Sequence, residues 1–176
     1  MKFQYKIEAE DFLEFQLYTA SRDPIVQGRK RKSWIILPIL FSFMAAFSFM
    51  SETFYLAVYF VVLAIVIALF YPKYFSWRYK KHYASFIGRN YAKRFGQPAE
   101  LEITKDFILS KDKVAEGKVK ISEIEYVSET QNHFFIKISS GMSFIIPKKE
   151  VDASIDLKAE FTRIGLVMKD ELNWKW

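Results

Sequence analysis

The chain is predicted to be α+β, with a two-helix transmembrane hairpin inserted between an N-terminal strand and helix and a C-terminal antiparallel sheet closed by a helix. Three observations lead to this class. Residues 33–50 and 54–71 are two apolar runs of membrane-spanning length, and from residue 99 onward the hydrophobic period shortens to two. Residues 2–8 alternate in the same way at the other end of the chain. The 176 residues suffice for one or two small domains. Zero cysteines exclude a disulfide scaffold, thiolate metal sites and thiol catalysis, and two histidines argue against a His-rich metal centre.

The first segment, residues 1–28, opens with Phe3, Tyr5 and Ile7 on one face of a strand and continues as a short helix carrying Phe12, Phe15 and Leu17. An isolated strand is unstable in water, so this one is expected to pair with the C-terminal sheet. Residues 29–73 then form the hairpin. Between Lys32 and Lys73 lie 40 residues with a single charge, Glu52. Each apolar run of 18 residues reaches about 27 Å as a helix, enough to cross a hydrocarbon core. Ser51, Glu52 and Thr53 are the only link, so the two spans must run antiparallel. A cleaved signal peptide does not fit two successive runs, the first starting at residue 33. A full hairpin is preferred to a buried soluble one and to a re-entrant one. Pro38 falls in the first turns of its span, where a missing N–H costs little.

Charge sets the orientation. Arg29, Lys30, Arg31 and Lys32 precede the first span, Lys73, Arg78, Lys80 and Lys81 follow the second, and the connecting loop has neither Lys nor Arg. The positive-inside rule therefore places both termini in the cytoplasm of a multi-pass protein. Residues 22–32 carry a net +4 and residues 73–95 a net +7, whereas residues 96–176 carry −2. The whole excess of +6 thus adjoins the membrane, which points to anionic lipid headgroups as the partner and away from nucleic acid. Residues 74–97 extend the second helix, with Phe75, Tyr79, Tyr83, Ile87, Tyr91 and Phe95 in a four-residue repeat. This amphipathic stalk is expected to end by docking on the soluble domain rather than lying on the bilayer. Gly96 and Pro98 are expected to stop it.

Residues 98–176 form the β-rich domain. Leu101 and Ile103 alternate with acids, short strands follow to residue 139, and Ser140-Gly141 suggests a two-residue hairpin turn into residues 142–147. Leu157, Phe161 and Ile164 share one helix face that ends near Gly165. A locally connected sheet closed by a helix has a pleckstrin-homology-like layout, an analogy that brings no ligand with it.

The catalytic vocabulary is sparse. His82 lies in the basic helix with no nearby acid, and His133 follows Gln131 and Asn132 in what reads as a bend. Glu123 and Glu125 flank Ile124 on the solvated face of a strand, Glu52 is a lone loop acid, and Ser139, Ser140 and Gly141 read as a turn rather than a phosphate loop. No catalytic, metal or cofactor site is assigned, and an enzyme is not expected. The assigned residues are a basic collar (Arg29, Lys30, Arg31, Lys32, Lys73, Arg78, Lys80, Lys81) and a candidate partner edge at Pro147, Lys148 and Lys149, since proline ends a strand or sits at a sheet edge.

Phe144 to Lys149 (FIIPKK), together with Ile124 to Val127, Asn132 to Ile136, Phe161, Tyr5 to Ile7 and Asp11 to Phe15, resembles the YcxB-like family of small bacterial membrane proteins. The resemblance implies the bacterial plasma membrane and an N-terminal strand and helix, a membrane hairpin and a β-rich domain in that order. It implies no catalytic residues. The expected function is a membrane-anchored binding or scaffold module with a protein partner of unknown identity, and homo-oligomers are compatible with so aromatic a hairpin. Two alternatives are an immunity protein against a membrane-targeting toxin, using small residues Ser42, Ala45, Ala46, Ala57, Ala64 and Ala68, and a small-ligand sensor.

Overall fold

The alternating N-terminal residues form strand β1 (Lys2–Lys6), and its partner lies about a hundred residues away in β2 (Pro98–Ile103), with Phe3 opposite Leu101 and Tyr5 opposite Ala99. This computed structural model describes residues 1–113, 115–152 and 154–176. They form two units, one of residues 1–15 and 84–175, the other of residues 16–83 with Trp176.

The first unit is β-rich. Strands β3 (Phe107–Lys111) and β4 (Glu116–Lys120) extend the ladder to a four-stranded antiparallel sheet ordered β1-β2-β3-β4. A 3-10 turn at Ile121–Glu123 interrupts it. The chain then starts a second sheet with β5 (Ile124–Glu129), β6 (His133–Ile138) and β7 (Ser143–Pro147). The sequence suggested one curved sheet; the strands divide into two because this turn ends backbone pairing, and hydrophobic alternation carries no mark of it. The second sheet has the order β7-β6-β5-β8, and the short β8 (Met168–Asp170) runs parallel to β5 rather than antiparallel. A parallel neighbour needs a crossover, and α4 (Leu157–Arg163) supplies it.

Inward-facing residues of both sheets share one core. Phe3, Leu101, Ile103 and Ile108 of the first meet Val127, Phe134, Ile136 and Ile146 of the second, and Leu157, Phe161 and Leu166 complete the cluster. Phe161 is fully buried, edge-on to Phe134. Asp156 caps α4 by accepting from the Ala159 N–H. Gly165, at φ 81°, ends the helix: its N–H donates to the Thr162 carbonyl and that of Leu166 to Phe161, the pairing of a Schellman motif. The β6–β7 turn comprises Ser139, Ser140 and Gly141, not two residues, with Gly141 at φ 89° and the Ile138 N–H donating to Met142.

Helix α1 (Ala9–Arg22) places its first turns on the outer face of the second sheet, where Phe15 packs 5.4 Å from Phe135. The end of α3 (Phe54–Asn90) also belongs to this unit: Ile87 is buried, and Phe12 stacks on Tyr91. Helix α3 stops at Asn90, before the expected breakers. A 3-10 turn at Ala92–Arg94 follows, and Gly96 at φ 65° donates its N–H to the Ile7 carbonyl.

The second unit is helical. Helix α2 (Pro24–Met50) starts earlier than the apolar run because Asp23 caps it and Pro24 occupies its first turn. Its basic residues are therefore helical. Trp34 donates its indole N–H to the Ala68 carbonyl, Phe41 approaches Phe60, and Phe49 meets Phe54 edge-on. One number rises as the other falls, so α2 and α3 run antiparallel. Glu52 makes the turn at φ 58°, and Thr53 hydrogen-bonds back to the Ser48 carbonyl through both its N–H and its hydroxyl. Ala45, Ser48, Ala57 and Ala64 are buried. Bulky apolar residues face outward: Phe43 is 71%, Met50 83% and Tyr55 82% exposed. Both helices are long and apolar enough to cross a membrane.

Candidate functional site

The basic collar belongs to the helical unit. Lys30 sits 5.7 Å from the Phe75 ring, so the basic ends of α2 and α3 lie together, away from the Ser51–Thr53 turn. Lys81 lies over Trp77, and Arg78 donates to the Tyr74 hydroxyl. None of the eight collar residues pairs with a carboxylate among the described residues.

The three residues of the candidate partner edge have different settings. Pro147 closes β7, the edge strand of its sheet, and is fully buried opposite His133. Lys148 turns away in a 3-10 turn and reaches Glu129 at 2.8 Å, which Lys158 also holds at 2.7 Å. Burial pushes the Glu129 pKa up, but these two ammonium groups more than offset it and hold the carboxyl below its ordinary range. Lys149 is exposed, 3.5 Å from Asp11. Glu123 and Glu125 are exposed.

His133 has a setting the sequence did not suggest. It is buried at the start of β6, with Nε2 at 2.9 Å from Asp11 Oδ1 and Nδ1 at 3.1 Å from Glu14 Oε1. Burial pulls its pKa down, yet the two carboxylates outweigh burial and raise it above 6.5. Burial works against the charged form of Asp11 as well, and the His133 contact and the Glu8 N–H lower its pKa all the same. Contact with His133 lowers Glu14. The second Asp11 oxygen accepts from the Glu8 N–H at 2.7 Å, the returning half of a capping box. Asp11 thus caps α1 and pins it to β6. The available signal was Glu8 followed three residues later by Asp11, a helix-start pattern; nothing local pointed 122 residues onward to His133. With a carboxylate of α1 at each ring nitrogen, this cluster is suited to fastening α1 to β6. Among the described residues no group of His, Asp and Glu is arranged to hold a metal.

The β-rich unit also contains a cavity. Along the inner face of the first sheet, Ile103 stands opposite Ile108, Leu101 opposite Ser110 and Tyr5 opposite Ala99. Side-chain volume therefore shrinks toward the Tyr5 end, and the core does not fill the space there. The resulting pocket holds about 240 Å³ and lies against Phe144 and Ile145 of β7, with Lys93, Arg94, Asp112 and Lys113 also lining it. Tyr5 is only 4% exposed, and its hydroxyl has no hydrogen-bond partner among the described residues. Burial, with Asp112 nearby, pushes its pKa well above the ordinary value, so it remains a protonated donor.

No curated protein and no solved structure matches the chain. The sequence profile of one family does match, over residues 103–163, which run from the end of β2 through α4. That stretch is narrower than the sequence resemblance, which also took in Tyr5 to Ile7 and Asp11 to Phe15. The family is described as YcxB-like protein, the one the sequence resembles, and residues 103–163 carry the likeness.

Proposed function

We propose that this protein is a non-catalytic binding module anchored in the bacterial plasma membrane, with α2 and α3 crossing the bilayer and both termini in the cytoplasm. The outward apolar surface of the two helices carries this reading. Soluble monomers rarely expose apolar patches beyond a few hundred Å², and a helix pair with Phe43, Met50 and Tyr55 all more than two-thirds exposed requires an apolar environment. The basic collar, at the end away from the turn, supports a cytoplasmic placement of that end. Two sheets closed by one helix are compatible with a pleckstrin-homology-like layout, a scaffold whose function lies in its sites.

The absence of cysteine makes the test direct. Glu52→Cys in the turn should react with a membrane-impermeant maleimide in intact cells. Lys105→Cys, between β2 and β3, should react only after permeabilisation. Labelling of Lys105→Cys from outside, or failure to label Glu52→Cys, would overturn the proposed topology.

A further inference from the structure

We propose that the pocket between β1, the start of α1 and β7 binds a small organic carboxylate with an apolar body, such as an aryl acid. This deepens the binding-module reading and rests on it for its biological sense. Three observations on independent residues converge. The first is space: a cavity of about 150 Å³ accepts benzene, so about 240 Å³ leaves room for roughly ten non-hydrogen atoms. Ile7, Phe12, Ala99 and Phe144 give it apolar walls suited to a flat or branched body.

The second is charge. Lys93 and Arg94 from the 3-10 turn and Lys113 from the turn after β3 line the same opening, and none has an ion-pair partner among the described residues. Their counterweight is Asp112, whose Oδ1 is engaged by the Ala115 N–H at 2.8 Å. The lining therefore carries a net charge of +2, complementary to an anion.

The third is Tyr5, a buried residue that lines the pocket and whose hydroxyl has no hydrogen-bond partner among the described residues. With no protein acceptor beside it, this hydroxyl donates its hydrogen to a ligand oxygen that reaches into the pocket. A ligand with its carboxylate at Lys93 and Arg94 and its body against Phe12 and Phe144 uses all three features. A fully apolar ligand leaves the cations and the phenol unused, and an inorganic anion leaves the walls unused.

The test uses the full chain in phosphatidylcholine nanodiscs, which carry no net surface charge. Fluorine NMR follows 4-(trifluoromethyl)benzoate and, as the neutral match, 4-(trifluoromethyl)benzamide. The benzoate should bind saturably and the benzamide at least about tenfold more weakly, the size of a lost charge-assisted hydrogen bond. The Lys93→Ala/Arg94→Ala double variant, whose side chains are exposed, should stay folded by circular dichroism and weaken benzoate binding about tenfold. Tyr5→Phe should weaken it about threefold, and Ser110→Leu should block it by filling the space. No saturable binding, equal binding of the two probes, or unchanged affinity in the double variant would overturn the assignment. Failure here with Glu52→Cys and Lys105→Cys labelling as expected removes only the ligand. Saturable benzoate binding with aberrant labelling removes the anchor and leaves the pocket.

Discussion

At His133 the fold places an imidazole where a charged ring is favoured and nearly enclosed. Its pKa is raised, so the stability it contributes is fully present below the ordinary value of 6.5 and is lost as pH climbs through the raised one. Asp11 and Glu14 are lowered from 3.8 and 4.5, so theirs is present above those values and lost as pH falls through the lowered ones. Both contributions coexist between about pH 5 and 6.5. The melting temperature should form a plateau there and decline on either side. His133→Gln should remove much of the alkaline decline while leaving other carboxylates to govern the acid limb. Asp11→Asn leaves the buried ring Glu14 as its remaining carboxylate and should cost about 2 kcal/mol at pH 6, the size of a lost charge-assisted hydrogen bond, measured by denaturant unfolding. A loss below about 0.5 kcal/mol would show that the Asp11–His133 contact does not fasten α1.

Helix α4 shows how a single element is specified, since a capping aspartate, three apolar positions on one face and a left-handed glycine each mark it. Its end depends on φ 81° at Gly165, a region where a Cβ costs about 1–2 kcal/mol. Gly165→Ala should lower unfolding free energy by that amount, and a neutral result would mean the helix can end another way. Elements of this kind are legible because their signals are local. The apolar runs that became α2 and α3 and the alternation of Phe3, Tyr5 and Ile7 are legible for the same reason. The division into two sheets is not, because the 3-10 turn at Ile121–Glu123 has the same mixed composition as the strands around it. β8 has three residues, too few for a period. The Tyr5 pocket arises from Ala99 and Ser110 lying in adjacent strands, and strand register does not appear in composition. His133 looked like a turn residue because its partners lie on a helix near the other end of the chain.

At the scale of the molecule, the β-rich unit is assembled from both flanks of the helical hairpin. β1 contributes Phe3 and Tyr5 to the core and covers the edge of β2. Deleting residues 1–7 should therefore abolish cooperative melting of this unit and expose the β2 edge to aggregation. A truncated chain that still melts cooperatively would show that β1 is dispensable.

The same connectivity sets an order of events during synthesis. Gln4 and Glu100, neighbours across the β1–β2 ladder, lie 96 positions apart. At about 5–20 residues per second, ribosomes need about 5–20 s to make the second after the first. Both apolar helices are synthesised within that interval, while β1 still has no partner. A nascent chain must therefore keep a bare strand from pairing with a neighbouring copy, and Lys2 and Lys6 at its two ends are gatekeepers suited to that delay.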